Sequence, residues 1–351
     1  MTPAIHGQTP ARRSRLAILG VVLRRLGRIG RSPLLRLAGT GLGLLLLTRR
    51  VNLSQAANAL GHADPHLALL GVALTGLGMA CVVAGWAAVI RASGARIAAP
   101  LLASWYLQGI FVGQVTPTGA GGDAVRALGA SRAIGAGRGV ASLAASRLAT
   151  GLAMAVIGFA GALLAKVDFG VPVVAGAGVF LLAMLLMWWL ALGVHDATRS
   201  LAAHRHRSLA RVARAVTPVT ETLRGLRTRP GALATCVAPA LAGWMLNIFA
   251  LQVFAAAVGI HQPPSVFAVA VPISMLTTVA PIAINGIGLR EGVLVGLLTH
   301  VGEAAARSGA LAVLIDLQLV PFALIGGSLL LISRHVRRRA GALPSGPSPA
   351  P

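Results

Sequence analysis

Acidic residues, lysine, cysteine and aromatic residues are all scarce in this 351-residue chain. It has 8 Asp and Glu against 31 Lys and Arg, Lys166 is its only lysine, and aromatic residues make up 4%. A Walker-type phosphate loop has the pattern Gly-x4-Gly-Lys-Ser/Thr, and the residues around Lys166 do not form it. ATP-driven transport by this chain alone is therefore excluded. The two cysteines, Cys81 and Cys236, have no partner at metal-ligand spacing. The nine histidines form no His-Glu-x-x-His motif. We therefore expect no metal, no cofactor and no catalytic residue.

Apolar residues are what the chain has in excess. They make up 56% of the sequence and charged residues only 11%, against about 45–50% and about 25% in soluble domains. A free-standing soluble enzyme is therefore excluded. A membrane-spanning helix needs about 20 mostly apolar residues, and six runs qualify. The predicted fold is an all-α polytopic membrane protein with spans at 34–51, 66–91, 139–165, 171–194, 231–258 and 308–333.

Two further apolar segments, 98–116 and 265–284, run into breaks rich in proline and glycine. Each is followed by a shorter helical piece, 124–135 or 289–302. Cytoplasmic loops of membrane proteins are enriched in arginine and lysine. This rule favours treating the two segments as re-entrant helical hairpins, which enter and leave the membrane on one side, over treating them as simple spans. With that assignment 24 basic residues lie inside and four outside, both termini are cytoplasmic, and three arginines lie at membrane depth.

The predicted organisation is one transmembrane domain, 34–334, between two basic ends. The arm 1–33 carries seven arginines and is expected to contact anionic lipid at the cytoplasmic face. Nucleic acid is not an expected partner, because no aromatic or base-reading motif accompanies the charge. A basic loop, 195–230, joins the two halves, and the tail 335–351, which is basic and rich in proline, is predicted to be disordered.

The two breaks contain the same pattern, Pro-x4-Gly-x3-Arg, at an offset of 164 residues. In the predicted topology the unit 66–165 is followed by the same unit upside down, 231–333. Inverted repeats with interrupted helices are the usual architecture of a transporter binding site. Glycine lets the backbone turn sharply and lets a ligand approach. The predicted turn residues are Pro117, Gly119, Gly121, Gly122, Pro281, Asn285, Gly286 and Gly288.

The stretches Gly113–Arg126 and Pro281–Glu291 resemble the lysylphosphatidylglycerol synthase transmembrane-region family of flippase-like membrane proteins. Trp86 with Arg91, and Arg147, are supporting matches, and the resemblance covers about 34–334. It implies that the chain moves or presents lipids between leaflets of a bacterial cytoplasmic membrane. Some members carry a separate soluble domain that transfers an aminoacyl group. Because this sequence ends within 20 residues of its last predicted span, we expect no aminoacyl transfer and no enzyme activity.

Three arginines at membrane depth require partners or a function, because each costs at least about 2.5–3.5 kcal/mol on insertion scales. One hypothesis is that structural ion pairs fix the hairpins. The other is that Arg126 and Arg290 face a shared cavity and bind a lipid phosphate, which suits the planar fork of arginine. Asp123 and Glu291 are then the counter-ions.

The third buried arginine, Arg147, lies among small residues suited to close helix packing. Its predicted partner is Asp316, in the last span of the other repeat.

These observations predict a lipid flippase or lipid transporter that binds a phosphate-bearing headgroup in mid-membrane, between the two hairpins. The alternative is a membrane enzyme or accessory subunit of lipid or lipid-linked glycan biosynthesis, which would hold substrate for a separate enzyme partner. A purely structural scaffold is a third hypothesis. The sequence does not select the lipid.

Overall fold

The computed structural model describes residues 51–116, 120–165, 169–193, 230–277 and 288–341, with positions 41, 45 and 167. These residues are mostly α-helical, and no strand occurs among them. The described helices are α1 Leu53–Gly61, α2 Pro65–Ala92, α3 Ala99–Val115, α4 Ala120–Ile134, α5 Ala136–Leu164, α6 Val171–Gly193, α7 Pro230–Ala257, α8 Pro264–Leu276, α9 Leu289–His300, α10 Ala305–Leu317 and α11 Val320–Gly341. The all-α prediction is confirmed.

Five stretches of helix are long and apolar enough to cross a membrane. They are Pro65–Ala92, Ala136–Leu164, Val171–Ala191, Leu233–Ala257 and Ala305–Ser333. They coincide with five of the six predicted spans, so the chain is a multi-pass membrane protein. The first predicted span, 34–51, lies almost wholly outside the described residues, as do the arm 1–33 and nearly all of the loop 195–230.

The last span is interrupted, whereas the sequence predicts one continuous helix over 308–333. The helix stops at Leu317 and restarts as α11 at Val320. Pro321 explains the break, because its ring lacks an N–H and clashes with the carbonyl four residues earlier. α11 then continues to Gly341. The prediction of a disordered tail from residue 335 is therefore wrong for 335–341, where arginine and alanine favour helix.

The apolar core lies mainly in the second half of the chain. Buried residues of α7, α8, α9 and α10 form its largest cluster, and Phe254 and Phe267 are almost fully buried in it. A second cluster joins α2, α5 and α7, and a third joins α2 with α3 and α4. α6 is different, since most of its large apolar side chains are exposed. This distribution leaves α6 as a lipid-facing helix beside a packed bundle.

α3 and α4 form a helical hairpin in which glycine allows very close packing. A Cβ atom at Gly122 would overlap the carbonyl oxygen of Gly109, and one at Gly129 would lie 2.5 Å from the ring of Trp105. Residue numbers rise along one helix as they fall along the other, so the two helices are antiparallel. α8 and α9 also pack against each other. Re-entry of either pair into a membrane stays a prediction.

The helix bounds of the two halves follow the 164-residue offset of the sequence pattern. Shifted by 164, Pro65–Ala92 falls on 229–256, and α7 is Pro230–Ala257. Ala99–Val115 falls on 263–279, and α8 is Pro264–Leu276. This agreement supports two related halves. Their inverted orientation stays a prediction.

Candidate functional site

A cavity of about 250 Å³ lies between the two halves of the bundle. Its walls come from α2, α5 and α7, from both hairpins, and from the region around the α10–α11 break. Arg126 on α4 and Arg290 on α9 both line it, as do Arg147 and Glu291. Much of the remaining wall is apolar or aromatic. Two arginines from opposite halves therefore reach one chamber, and what they bind there stays a prediction.

Arg126 is buried with few partners for its five N–H donors. The residue is 8% exposed, and its guanidinium carbon lies 4.0 Å from the ring centroid of Tyr106. Nη1 donates to Asp123 at 3.3 Å and Nη2 donates to the Tyr106 carbonyl at 3.4 Å. Among the described residues Nε has no hydrogen-bond partner. Buried polar groups are almost always paired, so it is unusual that this guanidinium makes only two long hydrogen bonds.

The space for Arg126 is provided by a glycine on the facing helix. A Cβ atom at Gly109 would lie 2.7 Å from Nε of Arg126, so a larger residue at 109 would collide with the side chain. Tyr106 lies one turn earlier on the same face of α3. The sequence pattern did not point to Tyr106. Only the packing of α3 against α4 in the structure brings Tyr106 to Arg126.

Asp123 bridges two arginines. Its Oδ1 accepts from Arg126, and both carboxylate oxygens accept from the fork of Arg147, with Nε to Oδ2 at 3.1 Å and Nη2 to Oδ1. Asp123 also lies in the first turn of α4, where the helix dipole stabilises a negative charge. The predicted counter-ion of Arg126 is thus also the partner of a second arginine.

The predicted pair Arg147–Asp316 is wrong, because Arg147 pairs with Asp123 and Asp316 pairs with Arg290. The cause is the turn between α4 and α5. Gly135, with φ of +89°, separates the helices by one residue and reverses the chain, a conformation that glycine adopts readily. Asp123 and Arg147 lie at equal sequence distances on either side of Gly135, so the antiparallel pair places them opposite each other.

Glu291 holds Arg290 and also caps its helix. Its Oε2 accepts the N–H of Gly288 at 2.6 Å, and its Oε1 accepts from Nε of Arg290 at 2.8 Å. Gly288 has φ of +83°, which glycine tolerates at little cost. Arg290 also pairs with Asp316. The second half thus has one arginine with two carboxylates, whereas the first half has two arginines with one.

Two uncharged pairs help to shape the cavity wall. Thr75 donates to the side-chain oxygen of Gln318 at 2.5 Å, next to the α10–α11 break. Trp86 donates through its indole nitrogen to Ser142 at 3.1 Å, which fixes α2 against α5. The sequence predicts neither pair. Only Pro321, which explains the α10–α11 break, indicates an irregular place near Gln318. Among the described residues, no group of three or more His, Cys, Asp and Glu could hold a metal ion.

Three of the predicted turn residues lie in the described part of the chain. Gly121 and Gly122 lie in the first turn of α4, which begins at Ala120 and not near residue 124, so the prediction of a turn at these two residues is wrong. These glycines instead allow tight contact with α3, since a Cβ atom at Gly121 would lie 2.5 Å from the side chain of Thr116. Gly288 is the N-cap of α9. The other predicted turn residues lie outside the described residues: Pro117, Gly119, Pro281, Asn285 and Gly286.

Comparison with known protein families assigns the chain to a family. Residues 33–327 match the family model described as the lysylphosphatidylglycerol synthase TM region. The chain belongs to this family. No curated protein matches it. Family membership and the apolar helices together make it an integral membrane protein of lipid-related processes, and the lysylphosphatidylglycerol synthase TM region extends over both hairpins and all the cavity-lining helices.

Proposed function

We propose that this chain transports a phosphate-bearing lipid across the membrane, with the headgroup bound in the cavity between the two hairpins. The observation that carries the proposal is that Arg126 and Arg290, from opposite halves, line the same cavity. Guanidinium groups bind phosphate through paired, charge-assisted hydrogen bonds. Asp123 and Glu291 act as counter-ions that keep the site close to neutral in the absence of lipid.

The size of the cavity favours a headgroup over a whole lipid. At about 250 Å³ it lies just below the range of about 300–1,000 Å³ that small-molecule sites occupy. Acyl chains therefore stay in the bilayer while the headgroup passes between the hairpins. Irregular backbone at membrane depth needs protein or a polar cavity around it, and a polar chamber between the two hairpins supports this arrangement.

We place the protein in the cytoplasmic membrane of a bacterium, with both termini inside, because the basic residues sort to one side in that orientation. Membrane lipids are its proposed partners, and a lipid-biosynthesis enzyme is a further one. We propose no catalytic step for the chain itself.

Reconstitution tests the proposal. Purified protein is placed in liposomes that contain fluorescent nitrobenzoxadiazole-labelled phosphatidylglycerol, and the label that becomes accessible to external dithionite is followed. Wild-type protein should make inner-leaflet label accessible. Arg126→Gln should slow this at least about tenfold, because a charge-assisted hydrogen bond to phosphate is lost. The control is Arg132→Gln, on an exposed position of the same helix α4, which should match wild type.

The alternative function makes the opposite prediction. If the pure wild-type protein moves no lipid, while Arg126→Gln reduces the output of a lipid-biosynthesis enzyme in cells, the chain is an accessory subunit and the transport proposal is contradicted.

A further inference from the structure

Two charged clusters reach the cavity wall, one through Arg126 and Arg147 and the other through Arg290 and Glu291. They carry unequal charge, and this inequality bears on where an anion binds. The inference rests on the proposed function, because it names the subsite that the lipid phosphate occupies. We propose that Arg126 and Arg147 form the phosphate subsite in this conformation. The carboxylate of Asp123 occupies the place of two phosphate oxygens and is displaced when the anion binds. Arg290 is largely neutralised by its own carboxylates and contributes less than Arg147 to this binding step.

The geometry around Asp123 is that of a bound anion. Arg147 approaches with its fork, Nε to Oδ2 at 3.1 Å and Nη2 to Oδ1, and Arg126 approaches Oδ1 from a second position at 3.3 Å. Arginine binds carboxylate and phosphate with the same two parallel hydrogen bonds. A phosphate can therefore replace the carboxylate without rearrangement of the two arginines, and it offers further acceptors.

Arg147 is accessible from the cavity, and the hydrogen-bonding capacity of Arg126 is only partly used. The side chain of Arg147 is 54% exposed and lines the cavity, so an anion in the cavity can reach it. Arg126 is nine-tenths buried, its two hydrogen bonds are long, and its Nε has no partner among the described residues. An anion that approaches Arg147 thus meets a second guanidinium whose Nη1 and Nη2 make only long hydrogen bonds.

The cluster in the second half has the opposite balance. Arg290 pairs with both Glu291 and Asp316, and Glu291 is 6% exposed and is also tied to the start of α9. An anion at Arg290 would meet two carboxylates, the buried Glu291 and the half-exposed Asp316, and like charges repel. At Asp123 it replaces one carboxylate and faces two arginines. Electrostatics therefore directs the phosphate to the first half.

The carboxylate of Asp123 stays in a favourable environment when the anion displaces it. Asp123 lies in the first turn of α4, and the free N–H groups at the start of a helix stabilise a negative charge. Its side chain is 37% exposed, so rotation is not blocked by burial. Displacement then leaves the carboxylate hydrated and still stabilised by the helix dipole, and it leaves the arginines to the phosphate.

The test measures binding directly, without transport. Full-length protein in detergent is titrated with dihexanoyl phosphatidic acid, a soluble lipid phosphate, by isothermal titration calorimetry. Arg147→Gln should weaken binding at least about tenfold, and Arg290→Gln should weaken it clearly less than Arg147→Gln does. Asp123→Asn should tighten binding severalfold, because the competing carboxylate is gone. The matched control Asp316→Asn removes one carboxylate from the other cluster and should have little effect.

One further variant keeps the proposal open to contradiction if Arg147→Gln folds poorly. Arg147→Lys keeps the charge and loses the fork, so it should bind more weakly than wild type and more tightly than Arg147→Gln. Equal weakening by Arg290→Gln and Arg147→Gln, or equal tightening by Asp123→Asn and Asp316→Asn, would overturn the subsite.

Inorganic phosphate serves as the second probe, because a lipid headgroup and free phosphate share the same chemistry. Weaker binding of inorganic phosphate than of the short-chain lipid supports a lipid headgroup. Equal binding overturns that assignment and makes free phosphate the ligand. The outcome is independent of the liposome assay: a failure of lipid transport with the expected titrations contradicts the proposed function and leaves the anion subsite in place.

Discussion

The ring of Tyr106 positions Arg126 as much as the carboxylate of Asp123 does. The guanidinium stacks over Tyr106, the only tyrosine in the chain, and the backbone carbonyl of the same residue accepts a hydrogen bond from it. A cation over an aromatic face is attracted by about 0.5–2 kcal/mol, with the larger values at desolvated sites. The ring therefore offsets part of the cost of keeping an arginine in a buried place.

Replacing that ring should loosen Arg126. We expect Tyr106→Leu to lower the free energy of unfolding by about 1 kcal/mol and to slow lipid movement, because the guanidinium loses its platform. Tyr106→Phe keeps the ring and should stay near wild type. Thermal unfolding of both variants in one detergent checks the prediction, and equal loss in the two variants would contradict the role of the ring.

At the scale of the helix pair, glycine determines how closely α3 and α4 approach. The backbone carbonyl of Gly109 lies where a side chain at Gly122 would begin, and backbone cannot move aside as the end of a flexible side chain can. The same close approach sets the register that brings Arg126 over Tyr106. The geometry of the site is therefore a consequence of helix packing.

Two glycine-to-alanine substitutions should separate packing from helix propensity. Gly122→Ala drives a Cβ atom into the carbonyl oxygen of Gly109 and should destabilise the protein by about 1–3 kcal/mol, as overpacking does. Gly292 lies inside α9, and a Cβ atom there would have nothing within 4 Å, so Gly292→Ala should stabilise the helix by up to about 1 kcal/mol. Thermal unfolding midpoints measure both, and shifts of the same sign would contradict the packing role of Gly122.

The elements were largely predictable from the sequence, and the pairing of their charges was not. Apolar runs located five described spans because their length and composition match the membrane, and the repeated Pro and Gly pattern located the breaks. The partner of Arg147 was mispredicted because an apolar sequence carries no signal for register. Only the sharp turn at Gly135, which sets Asp123 opposite Arg147, decides it.

At the scale of the whole molecule, the two halves contact each other reciprocally. A Cβ atom at Gly78 on α2 would lie 3.0 Å from the carbonyl oxygen of Gly243 on α7, and one at Gly243 would lie 2.9 Å from that of Gly78. Gly71 packs on Phe254 and Gly85 packs near Cys236, so α2 and α7 are antiparallel. Corresponding helices that cross at corresponding points in opposite directions are what inverted repeats require.

The hairpins are held by the same reciprocal arrangement. α11, in the second half, packs closely on α3 of the first hairpin, where a Cβ atom at Gly326 would overlap the carbonyl group of Leu107. α5, in the first half, packs on α8 of the second hairpin, where a Cβ atom at Gly161 would lie 2.6 Å from that of Ala268. Each hairpin is thus supported by a late helix of the other half.

The antiparallel packing of α2 and α7 predicts the sidedness of the loops that follow them. If both helices span the membrane, the loop that contains Ala98 and the loop that contains His261 lie on opposite faces. The arginines beside Ala98, Arg91 and Arg96, place that loop inside. Single cysteines at each position, in a background without Cys81 and Cys236, should react with a membrane-impermeant maleimide from opposite sides. Ala98→Cys should label in inside-out vesicles and His261→Cys in right-side-out vesicles, the cysteine-free protein should not label, and reaction of both from one side would contradict an inverted repeat.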